Sequence, residues 1–243
     1  MLNVIIPMAG AGSRFAKAGY KKPKPFIDVL GKPMICHVLD NLKMPSAQFI
    51  LIARAEHCTA ESATVEQIKR EYGAQFVLVD KLTEGAACTV LFAHRLINND
   101  SPLLIANSDQ IVDIRIVDYI EDSERRGLDG SVLCFEDSDK KWSYAKIGTD
   151  ALISEIREKE VISSNATVGI YYFKRGSDFV ENAIDMIIQN ERVNGEFYVA
   201  PVYNYAIRLG RKFGIYSIDK NEMHGTGTPA DLDAYVKFKK GCS

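Results

Sequence analysis

Residues 2–26 read LNVIIPMAGAGSRFAKAGYKKPKPF, and this stretch decides how the remainder of the chain is read. Asn3 to Ile6 is a short apolar, β-branched run of the kind found in a parallel strand covered on both faces. After Met8 the side chains all but vanish. Ala9, Gly10, Ala11 and Gly12 leave the backbone bare, so its N–H groups can approach an anion or a flat base, and glycine accepts positive φ in the tight turn. Ser13 and Arg14 follow at once, then Lys17, Lys21, Lys22 and Lys24, the last two held beside Pro23 and Pro25. A backbone anion nest flanked by cations is the chemistry of polyphosphate binding. A glycine turn alone would be an ordinary strand end with a solvated face, and the added cations are what favour phosphate. Two established phosphate motifs are absent. No G-x-x-x-x-G-K-S/T string occurs, and G-x-G-x-x-G fails at its third glycine, where Phe15 stands.

PMAGAGSRF (7–15) followed by KKPKPFIDVLGKPMI (21–35) resembles the signature of the nucleotidyltransferases that couple a nucleoside triphosphate to a phosphorylated sugar or other small phosphorylated metabolite. Their pattern is G-x-G-S/T-R and then P-K. The resemblance implies that Met8 to Ser13 hold the base and phosphates, that Arg14 contacts the triphosphate, and that Lys24 contacts the α-phosphate.

With 243 residues the chain can bury a large core, and it is expected to form one domain, its nucleotide-binding half at 1–140 and its acceptor-binding half at 141–243. A formal net charge of −2 gives no electrostatic case for nucleic acid. No apolar run approaches the ~20 residues of a membrane helix, and the first residues form a strand without a basic leader, so the expected location is cytoplasmic. The five cysteines, Cys36, Cys58, Cys88, Cys134 and Cys242, are widely spaced without a C-x-x-C pair, which argues against a disulfide framework or a zinc site. Cys88 and Cys134, in apolar segments, read as core, and His37 and His94 read as helix residues with packing or surface roles.

Downstream, short buried strands at Phe49–Ala53, Phe76–Val79 and Leu103–Ala106 alternate with helices at Pro33–Leu42, from Thr64 as N-cap to Tyr72, and at Ala86–Ile97, the sign of a parallel sheet with right-handed crossovers. A helix over Ile114–Arg126 and a strand over Ser131–Phe135 continue the series. Past about residue 140 the pattern changes. Ala145–Gly148, Leu152–Arg157 and Thr167–Phe173 read as strands without intervening helices, implying antiparallel pairing. Helices at Gly176–Asn190, Val202–Leu209 and Pro229–Lys239 and a strand at Lys212–Ile218 complete the chain. The expected fold is α/β: a Rossmann-like, GT-A type three-layer sandwich, its central sheet mostly parallel, with an antiparallel sheet on the acceptor side.

Strands of an open parallel sheet point their carboxyl ends at the ligand. The fourth ends at Asn107, Ser108, Asp109, Gln110, where an acidic residue reads equally as a magnesium ligand or as a turn residue. The resemblance implies Asp109 as the ligand of Mg2+ and places Ser108 beside the nucleotide. Glu84-Gly85-Ala86 resembles the family's base-recognition motif at a helix start, with Ala86 for the usual threonine. Glu158-Lys159 resembles its acceptor motif, with Glu160 for the usual proline. Tyr144, Lys146 and Gly169 join these as acceptor-side candidates, and Asn194-Gly195-Glu196 resembles the motif whose glutamate contacts the acceptor. His224-Gly225-Thr226-Gly227-Thr228-Pro229 resembles the closing D-x-G-T-P stretch, but Gly225 occupies the place of the aspartate, which many sugar-phosphate members use as a second metal ligand. His224 is a further neighbour of the phosphates, and Asp231 reads as a first-turn residue of the last helix.

The expected reaction is nucleotidyl transfer with Mg2+, from a nucleoside triphosphate to a phosphorylated small-molecule acceptor, by a monomer or homodimer. The absent aspartate and the length of the chain suit the compact cytidylyltransferase-like members, and by overall likeness the chain resembles those that use CTP as donor and phosphoglutamine as acceptor in capsule polysaccharide biosynthesis. UTP or dTTP with a sugar 1-phosphate is the alternative. A glycosyltransferase, reading Asn107 to Asp109 as its metal motif, and a non-catalytic nucleotide-binding module are the readings from other classes.

Overall fold

The buried run at the start becomes β1 (Leu2–Pro7), in which Val4 and Ile6 face one apolar layer and Ile5 the other. In the computed structural model, which describes residues 1–45 and 47–241, it is the strand from which the others are laid out; Cys242 lies outside the described residues. A short helix α1 (Ser13–Lys17) leads to a small ribbon of β2 (Asp28–Val29) and β3 (Lys32–Pro33), then α2 (Met34–Asn41) and β4 (Ala47–Arg54). Next come α3 (Ala55–Ala60), α4 (Ser62–Tyr72), β5 (Gln75–Val79), α5 (Ala86–Leu91), α6 (His94–Ile97) and β6 (Leu103–Ala106). β7 (Gln110–Val112), α7 (Ile116–Arg125), β8 (Gly130–Glu136), β9 (Ser143–Ile147), β10 (Ile153–Glu158) and β11 (Asn165–Phe173) follow. The chain closes with α8 (Gly176–Ile188), α9 (Val202–Arg208), β12 (Phe213–Ile218), β13 (Met223–Gly225) and α10 (Pro229–Gly241).

β6, β1, β4 and β5 pair in parallel, as their continuous apolar runs require. β11 then runs antiparallel to β6, β8 and β9, and β12 pairs in parallel with β8, giving one nine-stranded sheet. The antiparallel strands therefore extend the parallel sheet rather than forming a second one. One face is covered by α2, α4, α7 and α10, and the other by α5, α6, α8 and α9, which is the expected three-layer α/β sandwich. The expected helix over Ala86–Ile97 is broken at Phe92 and Ala93 into α5 and α6. α4 begins at Ser62 with Glu61 at its N-cap, three residues before the expected cap Thr64. Cys36, Cys58 and Cys134 are buried, Cys88 is half-buried, and all four are free thiols.

β1 and β6 are neighbours in register, Asn3 opposite Leu103 and Ile5 opposite Ile105, so their carboxyl ends deliver two loops side by side. β11 flanks β6 on its other edge, and Asn107 N donates to Gly169 O at 2.9 Å where β11 bulges. The point at which a parallel sheet meets an antiparallel strand is thus the floor of the cleft described next.

Candidate functional site

Gly12 adopts φ 60° and caps the amino end of α1, turning the chain from β1 through a left-handed conformation that a β-carbon disfavours. This bend sets Gly10, Gly12, Ser13 and Arg14 along one wall of a cleft of about 370 Å3. Met8 and Ala86 line it from the sheet side, and Asn107, Ser108 and Asp109 form the opposite wall. Ala9 is buried beneath the loop, and Ala11 is exposed at its crest. Lys24, on the turn after Pro23, reaches across and hydrogen-bonds the Asp109 carboxylate. Both side chains are only 18% exposed, so this pair sits inside the cleft. Among the described residues no carboxylate pairs with Arg14, which leaves its guanidinium free for an anion. Of the other cations expected near the loop, Lys22 pairs instead with Glu61 at 3.1 Å, and Lys17 and Lys21 are exposed outside the cleft.

Ala86 and Asn107 also line a second cleft of about 220 Å3, so the two spaces share a wall. Its sides are Trp142, Tyr171 and Tyr198, and its polar groups include Ser143, Glu158 and Thr167. Glu158 accepts a hydrogen bond from the Ser143 hydroxyl. Burial pushes the Glu158 carboxyl above its ordinary value, Glu196 adding to the effect while Ser143 and Lys159 oppose it. Lys159, at φ 57°, donates to Tyr198 Oη at 2.6 Å and lies over the same ring at 4.7 Å. Burial lowers the Lys159 ammonium, but the Tyr198 hydrogen bond and nearby negative charge leave it raised on balance. Lys141 lies similarly over Trp142 at 4.8 Å.

Gly85 fixes the lip between the clefts. At φ 128° and ψ 172° it lets Glu84–Ala87 lie flat on Phe197, with Phe197 N donating to Glu84 O at 2.7 Å and Ala87 N to Phe197 O at 3.0 Å. Glu84 itself points outward to Arg192 at 2.6 Å. Glu196 is exposed in a tight turn closed by Val193 and Glu196.

Two acceptor-side candidates lie elsewhere. Tyr144 is fully buried in the opposite apolar layer, its hydroxyl donating to Asp139 O at 2.8 Å, and Lys146 is exposed two positions along β9. Side chains alternate along a strand, so it is Ser143 that faces the cleft. Sequence reading passed over Trp142, Ser143, Thr167, Tyr171 and Tyr198, whose only prior signal was the single tryptophan beside a lysine pair.

A wider groove continues from Asp109 along the ribbon of β7 and β13, where Gly225 stands opposite Gln110. Thr226 holds this ribbon to the site by donating from N at 2.8 Å and from Oγ1 at 3.2 Å to Asp109 O. His224 turns away from the phosphate cleft, pairing with Asp113 at 2.6 Å and stacking on Phe238 at 4.4 Å. Asp231 belongs to the first turn of α10 and accepts from Thr228 Oγ1 at 2.7 Å. Among the described residues no group of three His, Cys, Asp or Glu side chains could hold a metal ion unaided. A single carboxylate inside the first cleft fits the other pattern, in which magnesium takes one or two carboxylates and completes its shell with phosphate and water.

Comparisons with known proteins bear on the chain and its fold as a whole. Residues 3–197 match the family model described as Nucleotidyl transferase. The bifunctional protein GlmU of Methanococcus maripaludis is 24% identical over 88% of this chain and 49% of its own length. Mannose-1-phosphate guanyltransferase 2 of Candida glabrata is 25% identical over 69% of this chain and 48% of its own. The chain spans about half the length of the curated relatives it matches. Among solved structures, the nucleoside-diphosphate-sugar pyrophosphorylase of Vibrio cholerae RC9 superposes with a TM-score of 0.81 and 26% identity, covering 96% of this chain and 99% of that one.

Proposed function

The chain belongs to the nucleotidyl transferase family, and from that premise we propose that it transfers a nucleoside monophosphate from a nucleoside triphosphate to a sugar 1-phosphate, releasing pyrophosphate. The observation that carries this reading is the Lys24–Asp109 pair inside a cleft that shares Ala86 and Asn107 with a second, aromatic-walled cleft. The relatives support the acceptor class, since one is named for mannose 1-phosphate and another for nucleoside-diphosphate sugars.

In this reading a phosphate oxygen of the acceptor attacks the α-phosphorus in line, the bond from the α-phosphorus to its bridging oxygen breaks, and pyrophosphate departs with that oxygen. The nucleophile is already anionic near neutral pH, so no general base is needed. The protein's work is alignment and neutralisation of crowded negative charge. The bare amides of Gly10 to Ser13 and the unpaired Arg14 hold the β- and γ-phosphates. Lys24 moves from Asp109 to the α-phosphate, and Lys159 and Lys141 leave their aromatic faces for the acceptor's phosphate. Asp109, freed of Lys24, would hold magnesium, which supplies Lewis-acid neutralisation of phosphate oxygens when bound.

A second reading, CTP with phosphoglutamine, rests on Gly225 in the place of the aspartate and on Glu158, whose buried carboxylate is held by a hydroxyl rather than a cation. That carboxylate would receive the α-ammonium of an amino-acid acceptor. Magnesium-dependent pyrophosphate release, with CTP, UTP, dTTP, ATP and GTP each crossed against several sugar 1-phosphates, phosphoglutamine and phosphocholine, tests both. Release with a sugar 1-phosphate supports the first reading, release with phosphoglutamine alone the second, and no release in any combination would remove both.

A further inference from the structure

The carboxamide of Gln110 is a polar group at the site that the proposed chemistry leaves unused. Gln110 opens β7 and is 7% exposed, and its Oε1 is buried without a hydrogen-bond partner. A buried acceptor without a partner forfeits its hydration, so it marks a missing donor or cation. Its location narrows the choice. Gln110 is the cross-strand partner of Gly225, and a β-carbon placed on Gly225 would lie 3.6 Å from that same oxygen. Gly225 is the position at which the sequence lacks the expected carboxylate. Two residues on, Gly227 approaches so closely that a β-carbon there would lie 2.9 Å from Asp109 Oδ2. Asp109, Gln110, Gly225 and Gly227 therefore border one groove, with the orphaned oxygen directed to where a side chain from β13 would have stood.

Resting on the metal-dependent reading above, we infer that the Gln110 carboxamide oxygen is the second protein ligand of the divalent cation held by Asp109, replacing with a neutral oxygen the carboxylate absent at Gly225. Hard divalent cations accept side-chain amide oxygens alongside carboxylates. The exchange removes one negative charge from the site, so the protein alone binds the ion more weakly and relies more on the triphosphate to retain it.

The test is an Mn2+ titration of the whole chain, followed by loss of the free-ion electron paramagnetic resonance signal, with and without inorganic pyrophosphate. Gln110→Met keeps the length of the side chain and removes the oxygen. It is expected to weaken Mn2+ binding at least ~10-fold, the lower end of what losing even an outer partner of a metal site does. Adding Gly225→Asp to that variant should restore the affinity, since ordinary contact distance is all that a β-carbon meets there. Gln110→Glu should tighten binding and covers the case in which the methionine variant fails to fold. Unchanged Mn2+ affinity in Gln110→Met, or weaker binding in a folded Gln110→Glu, overturns the assignment while leaving Asp109 as ligand, provided Asp109→Asn loses the ion. Absence of Mn2+ binding by the unaltered chain under both conditions overturns the metal reading itself.

Discussion

Replacing Gly85 by alanine should cost the protein about 3–5 kcal/mol, and the figure can be assembled from its surroundings. The residue adopts φ 128° and ψ 172°, a region used almost only by glycine, where another residue pays about 1–3 kcal/mol. A β-carbon there would stand 2.3 Å from Phe197 O and 2.5 Å from Phe197 N, and these are backbone atoms that cannot swing aside. The Glu84–Ala87 segment would have to lift, breaking the two backbone hydrogen bonds that tie it to Phe197, each worth about 1 kcal/mol. Against a total stability of about 5–15 kcal/mol such a variant stays folded under mild conditions but unfolds at markedly lower urea. Gly10→Ala is the control, because a β-carbon there meets nothing within 4 Å. Urea titrations followed by the fluorescence of the single tryptophan, Trp142, measure both. A Gly85→Ala midpoint within about 0.5 kcal/mol of the control, the ordinary scatter of surface changes, would refute the account of this lip.

Lys24→Ala is expected to lower turnover by at least about a hundredfold with the fold intact, the scale of losing one preorganised charge stabiliser, and near-unchanged turnover in a pyrophosphate-release assay removes Lys24 from the α-phosphate. Asp137 is pushed up by burial but drawn down to about 2 by Lys220 and by the N–H groups of Asp139 and Ser138. Its ionised form is thus favoured by folding, a stabilisation present above its ordinary pKa and lost as pH falls toward 2. Lys220→Met should therefore cost roughly 0.5–1 kcal/mol at pH 7, discounted for the exposed lysine, and clearly less near pH 2, where the carboxylate is half protonated, as read by urea midpoints at the two pH values. Glu158 has the opposite sign: burial raises its pKa, so the folded protein holds that proton more tightly than the unfolded chain and loses stability as pH rises from the ordinary glutamate value through the raised one. Glu158→Gln should match the parent at pH 4 and exceed it at pH 8. Equal midpoints at both would show that the carboxylate is solvated.

The parts of the molecule legible in the sequence are those where one local signal suffices. β1 and β6 are continuous apolar runs, each followed by residues whose chemistry has no use in a core, and a parallel sheet brings such ends together. The ribbon of β7 and β13 was not legible, because three-residue strands carry no periodicity and their pairing joins positions more than a hundred residues apart. As an acceptor site the second cleft was legible only at Glu158 and Gly169, for another reason. Trp142, Glu158, Thr167 and Tyr198 come from separate strands and loops, so only tertiary register assembles them. That register also decided between Ser143 and its neighbours on β9, since a shift of one residue exchanges the cleft face for the face carrying Tyr144 and Lys146. A family motif gives the neighbourhood of an acceptor lysine. It does not give the parity of a strand.

The pairing of the charges around the cleft would also let a chain of nearly neutral balance take up a polyanion, as the proposed reaction requires. Lys24 is matched to Asp109, Lys159 to the Tyr198 hydroxyl and ring, and Lys141 to the Trp142 ring and Asp139. Each cation has a partner weaker than a phosphate dianion, so the site is held together without substrate and its charge is released only when a stronger anion arrives. Among the described residues lining the cleft, Arg14 is the cation without a carboxylate partner, and in the proposed reaction it would make the first contact with an incoming triphosphate. In the proposed reaction, withdrawal of Lys24 to the α-phosphate would then expose the Asp109 carboxylate at the moment phosphate oxygens are present to share a cation. A metal ion bound before the nucleotide would have to displace an ammonium from a partly buried carboxylate. One bound with the nucleotide finds that carboxylate already vacated, so this arrangement favours entry of metal and triphosphate together.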